Sequence, residues 1–381
     1  MLSLSGFGLE KIGRSYSERP FVGRICEWAN SLYRDCEILR VTDPHAEVPG
    51  GFLAYLYDAP PVAPPEGDAF LLPLNFRYLR EGDIVRINAV TGAITTLYRV
   101  SSRSNALLVT ERCSNRCIMC SQPPTERNDA WLIDEAKEIV SLIASEPGEL
   151  GITGGEPGLL GPKLIELLEF LKEHLPRTAV HLLSNGRAFS HRELAVALAQ
   201  VNHPDLMVGV PLHSILPEEH DYIAQAYGAF DETVRGILNL KSVGARVELR
   251  FVIHAESSGR LLEFAEFIAR NLLFVDHVAL MGMELEGFAR TNVQALWIDP
   301  LEYGAHLLRA VQHLAWAGLR VSIYNLPLCV LPDELHPFAR QSISDWKTTY
   351  IDECARCTLR AQCCGLFASG VTVKSRGILA R

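Results

Sequence analysis

The sequence predicts an α/β fold: a partial parallel barrel of six strand–helix units, a small β-rich N-terminal domain, and a loop-rich C-terminal extension that carries cysteines. Three observations lead there. From residue 106 to about 290, apolar strand-like runs alternate with segments of helical periodicity. The first hundred residues look like a separate unit with short strands and turns. After Pro300 one helix and one strand give way to a cysteine-rich tail. The 381 residues therefore divide into 1–104, 105–298 and 299–381, in keeping with about two or three domains for this length.

Taken in order, residues 20–36 read as a short helix, with Cys26 and Cys36 as buried structural thiols. Leu71 to Val100 reads as short strands. The clearest hairpin runs from Asp83–Ile87 through Thr91-Gly92 into Ala93–Tyr98. Between these parts, Ala59-Pro60-Pro61-Val62-Ala63-Pro64-Pro65 reads as an extended connector. The alternation then places strands at Ala106–Thr110, Leu150–Thr153, Ala179–Ser184, Leu206–Leu212, Arg246–His254 and His277–Met283. Helices fill the gaps at Ile133–Ile143, Pro162–His174, Arg192–Ala199, Asp231–Val243 and Leu261–Leu272. Pro162 suits a first helical turn and Asp231 an N-cap. A helix at Leu301–Ala317 and a strand at Arg320–Tyr324 precede the tail. In a parallel barrel the loops after the strands share one face. Cys113–Cys120, Gly154–Pro157, Ser184-Asn185-Gly186, His213-Ser214 and His254 all fall there.

A net charge of −9 without a basic stripe makes nucleic acid an unsuitable main partner. The N-terminus lacks the basic and apolar regions of a signal peptide, and no apolar run spans a bilayer, so no membrane partner is expected. A cytoplasmic, reducing location is expected, where clustered cysteines point to metal rather than disulfides. Eight of the ten cysteines form two groups: Cys113, Cys117 and Cys120, then Cys329, Cys354, Cys357, Cys363 and Cys364.

The first group has the spacing Cys-x-x-x-Cys-x-x-Cys. Three thiolates hold three irons of a cubane cluster and leave the fourth open to a chelating ligand, where an electron-transfer cluster takes four. The alternatives are a zinc site or incidental thiols. Zinc wants a fourth local ligand, and no histidine lies between His45 and His174. Downstream, Gly154-Gly155-Glu156-Pro157 supplies glycines that permit close backbone approach and a carboxylate that complements an amine.

Together, Cys113-Ser114-Asn115-Arg116-Cys117-Ile118-Met119-Cys120 and the GGEP turn resemble the radical S-adenosylmethionine (SAM) superfamily. The resemblance implies a [4Fe-4S] cluster on Cys113, Cys117 and Cys120. SAM would chelate the open iron and be cleaved reductively to a 5′-deoxyadenosyl radical. It further implies that Gly154, Gly155, Glu156 and Pro157 receive the methionyl ammonium. Ser184, Asn185, His213 and Ser214 would lie near the methionyl carboxylate and ribose, against a plain reading as turns and a strand-end histidine. Where the superfamily has an aromatic residue near the adenine, this chain has Met119, whose thioether also packs on flat rings.

The second group, Cys354-x-x-Cys357-x5-Cys363-Cys364 with Cys329 upstream, suits a zinc knuckle or a second cluster. Beside the first motif it looks like the auxiliary-cluster region of peptide-modifying radical SAM enzymes. The implied ligands are Cys329, Cys354, Cys357 and Cys363 for one auxiliary [4Fe-4S] cluster, with Cys364 as the alternative to Cys363. More narrowly, the β-rich extension, Thr110-Glu111-Arg112-Cys113, Cys120-Ser121-Gln122-Pro123-Pro124 and the Cys354 to Phe367 tail resemble maturases of the His-Xaa-Ser repeat peptide system. That implies a ribosomally made precursor peptide as substrate, a flavodoxin- or ferredoxin-type electron donor and a partner maturase. A small metabolite or cofactor precursor is the alternative substrate, and a zinc-binding scaffold the alternative from another class. Glu284, Glu286 and Gly287 read as rim residues, facing either cofactor or solvent. Arg250 and His254 share one strand face, by which Arg250 reaches a ligand or pairs with an acid.

Overall fold

Membership of the main hydrophobic core alternates with residue parity along the strands between Asn105 and Tyr324, and this separates the two faces of the main sheet. The computed structural model describes residues 4–13, 16–63, 65–341 and 344–381. Seven parallel strands make the sheet: β9 (Asn105–Leu108), β10 (Glu149–Thr153), β11 (Ala179–Leu183), β12 (Leu206–Pro211), β13 (Arg246–Ile253), β14 (His277–Gly282) and β15 (Val321–Tyr324). They lie in sequential order, β9 at one edge and β15 at the other. Ile152, Leu182, Val208, Leu249, Leu280 and Ile323 on one parity are all buried and belong to a single core. The other parity, including His181, Gly209, Glu248, Arg250, His277 and Ser322, faces the barrel interior.

The helices are α1 (Trp131–Leu142), α2 (Pro162–His174), α3 (Arg192–Val201), α4 (Pro217–Ala224), α5 (Ala229–Ser242), α6 (Ala255–Ser258), α7 (Leu261–Asn271), α8 (Gly287–Thr291), α9 (Val293–Leu296) and α10 (Pro300–Trp316), and α1, α2, α3, α5, α7 and α10 supply the core on the apolar face. Pro162 occupies the first turn of α2, where its missing N–H costs nothing. Asp231 lies inside the first turn of α5, and the N-cap is Gly228 with φ 73°. Its carboxylate therefore complements the helix dipole there instead of capping. The expected six-strand barrel gains a seventh strand, β15, from the segment assigned to the C-terminal extension. The α10 crossover returns the chain to pair β15 parallel with β14, Leu280 opposite Ile323.

The N-terminal unit holds β1 (Ser5–Phe7), β2 (Glu10–Lys11), β3 (Phe21–Cys26), β4 (Glu37–Val41), β5 (Ala54–Tyr57), β6 (Ala69–Leu71), β7 (Ile84–Asn88) and β8 (Ala93–Tyr98). Their order is β1-β8-β7-β3-β4-β5-β6-β2. Strands β1 and β2 at the two ends are halves of one segment bent at Gly8 (φ 109°), so the sheet closes on itself around Ile25, Ile38, Leu56, Phe70, Val85 and Ile94. Closure leaves no long open edge. The hairpin of β7 and β8 forms as expected.

Two expectations fail here. Residues 21–26 are strand and only Arg34–Cys36 is a 3-10 turn, because Phe-Val-Gly-Arg-Ile-Cys pairs with β4 and β7. Cys36 is accordingly half-buried, while Cys26 is buried. The proline-rich link joins β5 to β6, adjacent strands of one sheet, and does not separate two parts; its Pro64 lies outside the described residues.

The closed sheet packs on the barrel through Val22, Ile84 and Tyr98, which join the main core. Arg86 also grips Glu135 of α1 at 2.8 and 2.9 Å. The tail is mostly 3-10 turns, with a two-residue pairing of β16 (Thr348–Thr349) and β17 (Leu366–Phe367). Lys347 from this tail bonds Glu284 at 2.6 Å and approaches Glu286 at 3.6 Å. The two rim carboxylates are thus tied to the tail.

Candidate functional site

The loop after β9 carries the first cysteines and is fastened from four sides. Gly155 N–H donates to Thr110 O and Glu156 N–H to Arg112 O, both at 2.8 Å, so the end of β10 is laced to the loop's base. This is why glycines stand there: a Cβ on Gly154 would lie 2.4 Å from Thr110 O, and one on Gly155 2.2 Å from Arg112 O. Arg116 and Ile118 N–H donate to Ala224 O and Ile223 O of α4. Asn292 Nδ2 donates to Ile118 O, and Phe288 N–H to Cys120 O. Gly287, with φ 54°, lets this last contact form, since a Cβ there would sit 2.6 Å from Cys120 O. The fourth tie is Arg187. It reaches Ser114 O at 2.8 Å and Asn115 Oδ1 at 2.7 Å while bonded to Glu232 at 2.6 Å.

Glu156 has no exposed surface. Its Oε1 accepts from Gly158 N–H and Ser184 Oγ–H, both at 2.7 Å, and Oε2 accepts from Asn185 N–H at 2.5 Å. Burial pushes its carboxyl up, and these three donors oppose that shift. The carboxylate therefore clamps the turn after β10 to the turn after β11, with three of its roughly four acceptor positions taken. Pro157 opens the following 3-10 turn and is buried. Ser184 is spent on Glu156. Asn185 Nδ2 donates to Ser114 Oγ at 2.9 Å and lies 3.9 Å from Cys113 Sγ. Ser214 Oγ donates to Glu219 at 2.8 Å, so its hydroxyl is consumed within its own turn. His213 Nε2 lies 4.0 Å from Cys117 Sγ, and its ring sits 5.1 Å from that of His220. Met119 packs with Ile223, Ala289 and Leu296.

Burial pushes the thiols of Cys113, Cys117 and Cys120 up, and the charges of Cys120 and Cys113 help drive Cys117 to about 12. Left alone the trio would stay protonated, so thiolates here need cationic metal beside them. Among the described residues, no three His, Cys, Asp or Glu side chains converge as the ligands of a single ion do. A four-iron cluster, each cysteine on a different iron, spreads its ligands wider. The spacing of the three cysteines along one loop is what the expected cluster asks for.

In the tail, Cys329, Cys354, Cys357 and Cys363 line one pocket together with Tyr350 and Arg360. Cys364 is absent from that lining and only 6% exposed. The Cys364 thiol and the N–H groups of Leu328 and Gly365 hold Cys363 down to about 6, and the same partnership with burial pushes Cys364 well up. Inside the barrel, Glu248 holds His277 Nδ1 at 2.6 Å and lies 3.4 Å from His181 and 3.6 Å from Arg250. Arg250 thus pairs with an acid of its own strand.

Sequence reasoning missed α4, Arg187, Asn292 and Glu248. Arg187 follows Ser184-Asn185-Gly186 directly and was findable as a cation beside the turn. The others act from elements distant in sequence.

Residues 107–268 match the family model of the Radical SAM superfamily. This is a radical SAM fold. The radical SAM segment is 30% identical over 152 residues to the Fe-coproporphyrin III synthase of Methanosarcina barkeri, covering 39% of this chain and 36% of that protein. It is 26% identical over 180 residues to the GTP 3′,8-cyclase of Aquifex aeolicus, covering 45% and 55%. The chain thus spans about a third to a half of these relatives' length. Streptococcus suis SuiB bound to S-adenosylmethionine shares the fold at 12% identity with a TM-score of 0.52, covering 72% of this chain and 75% of that one. No helix among the described residues is long and apolar enough to cross a membrane.

Proposed function

We propose that the chain is a radical SAM enzyme that modifies a ribosomally made precursor peptide of the His-Xaa-Ser repeat type. A [4Fe-4S] cluster on Cys113, Cys117 and Cys120 with bound SAM would supply reductive cleavage and hydrogen abstraction. The chain's own residues do the rest. The Gly154-Gly155 backbone offers carbonyls to the methionyl ammonium, and Asn185 braces the cysteine loop. The barrel walls keep water from the reacting centre.

The observation that carries the peptide reading is the gathering of Cys329, Cys354, Cys357 and Cys363 around one pocket. That set supports an auxiliary [4Fe-4S] cluster of the kind expected from the sequence resemblance. Gly282, Met283 and Asn325 of the barrel mouth share a cleft with Gly365, Leu366 and Phe367 of the tail. A substrate in this cleft would touch both units. Electrons would come from a flavodoxin- or ferredoxin-type donor, and a partner maturase would act on the same peptide.

The test is incubation of the reconstituted protein with SAM, reductant and a peptide containing His-Xaa-Ser repeats, read by mass spectrometry. A mass change that depends on SAM and on Cys113 supports the proposal. Abundant 5′-deoxyadenosine with an unaltered peptide would favour the second reading, a small cofactor precursor or nucleotide, to which the names of the two sequence relatives lend weight.

A further inference from the structure

Strands β12 to β15 begin at Leu206, Arg246, His277 and Val321. A cavity of about 930 Å³ lies against these beginnings, with Met207, Arg246, His277 and Val321 in its wall. It is therefore at the opposite end of the parallel sheet from the cysteine loop, which follows the end of β9. Pro337, Phe338 and Arg340 form another part of the wall. Their segment is fixed beside β15, since Ala339 bridges Ile323 and Arg340 N–H donates to Ile323 O at 2.8 Å.

Charge decides what fits. Several charged groups around the cavity are neutralised within the chain. Arg246 pairs with Asp205, and Asp276 with Lys241 at 2.8 Å. Glu248 is held by His277, whose other nitrogen pairs with Ser322 Oγ at 3.0 Å. Two exposed guanidiniums in the lining are left over, those of Arg320 and Arg340. Arg340 uses only Nη1, on the carbonyls of Pro337 and Ala339 at 2.9 and 3.0 Å. Neither arginine has an acid partner among the described residues. A guanidinium fork pairs with carboxylate or phosphate through two hydrogen bonds, and two forks lining one cavity call for an oxyanion. Ser322 and Tyr324 add hydroxyls to the same wall, and burial pushes the Tyr324 phenol up, so it stays a donor. Leu319, Val321 and Phe338 supply apolar surface for the rest of a ligand. The volume is that of an ordinary small-molecule site.

We propose that this cavity is a further ligand site, for a small organic oxyanion, carboxylate or phosphate, borne on an apolar body. Arg320 and Arg340 take the oxyanion, and Leu319, Val321 and Phe338 take the body. The site lies apart from the cysteine loop and stands or falls independently of the radical SAM reading.

The experiment is calorimetric titration of the reconstituted full-length protein, at physiological ionic strength, with 3-phenylpropionate, phenyl phosphate, the neutral 3-phenylpropanol and inorganic phosphate. At least one of the aromatic acids should bind roughly ten-fold tighter than both the alcohol and inorganic phosphate, and the tighter acid names the head group. Arg320→Gln and Arg340→Gln should each weaken that acid, and the double variant should bind it no better than the alcohol. Arg340→Lys should keep part of the affinity, since a point charge replaces a fork. Iron content and thermal melting show that each variant is folded. Equal wild-type affinity for acids and alcohol would overturn the proposal without any variant. So would acid binding that survives in the double variant, which would put the oxyanion elsewhere. Inorganic phosphate bound as tightly as the acids would mean an ion on a basic surface, and would overturn it too. None of these outcomes depends on 5′-deoxyadenosine formation, whose absence would count against radical SAM chemistry alone.

Discussion

At Glu156 a carboxylate without exposed surface takes three hydrogen bonds from Gly158, Ser184 and Asn185. Replacing it with Gln keeps the shape but turns an acceptor into a donor that faces donors. We expect Glu156→Gln to lose about 1–3 kcal/mol, read as a lower urea midpoint of the metal-free protein. His220 gives a pH signature. Burial holds its imidazole down to about 4 from an ordinary 6.5, and His213 N–H donates to its Nδ1 at 3.2 Å. With the folded value below the unfolded one, the unfolded chain binds the extra proton. The stability is therefore present above pH 6.5 and lost as pH falls towards 4. The stability difference between wild type and His220→Phe should shrink by about 1.4 kcal/mol per pH unit across that window, and a flat difference would contradict it. The GGEP residues stand out in the sequence. That Glu156 clamps two turns together is not legible there, because Ser184 and Asn185 follow a different strand.

At the scale of elements, the joint between β10 and the cysteine loop depends on two absent side chains. A Cβ at Gly155 would lie 2.2 Å from Arg112 O and 3.0 Å from Cys113 Cβ. We expect Gly155→Ala to displace the loop, so that iron bound by Cys113, Cys117 and Cys120 falls sharply while the tail retains its own. In the tail, Cys363→Ser should release iron, whereas Cys364→Ser, buried away from the pocket lined by Cys363, should keep it. Elemental analysis reads both. The alternating runs that built β10 to β14 were legible because each strand buries one parity against its helices. Residues 21–26 misled because that short apolar run is fused to Trp28–Cys36, and only pairing with β4 and β7 decides between helix and strand. The helix α4 was missed because Pro217-Glu218-Glu219-His220-Asp221 is mostly polar, its stability coming from packing on α5.

Over the whole molecule, the closed N-terminal sheet, the seven-stranded barrel and the cysteine-bearing tail are joined by shared core packing and by specific ion pairs. Arg86 to Glu135 holds the first pair, and Lys347 to Glu284 the second. The sequence could announce two cysteine groups but not that strand β15 belongs to the barrel and carries the tail back to its mouth, since that placement is a long-range pairing. The central claim is that one chain holds two iron–sulfur clusters, of which the first works on SAM. The most direct measurement is iron and sulfide content with 5′-deoxyadenosine production, after anaerobic reconstitution, for wild type and a Cys113/Cys117/Cys120→Ala variant. The account predicts about eight irons in the wild type and about four in the variant, with nucleoside formed by the wild type alone. Zinc in place of iron, and no nucleoside from either protein, would contradict it.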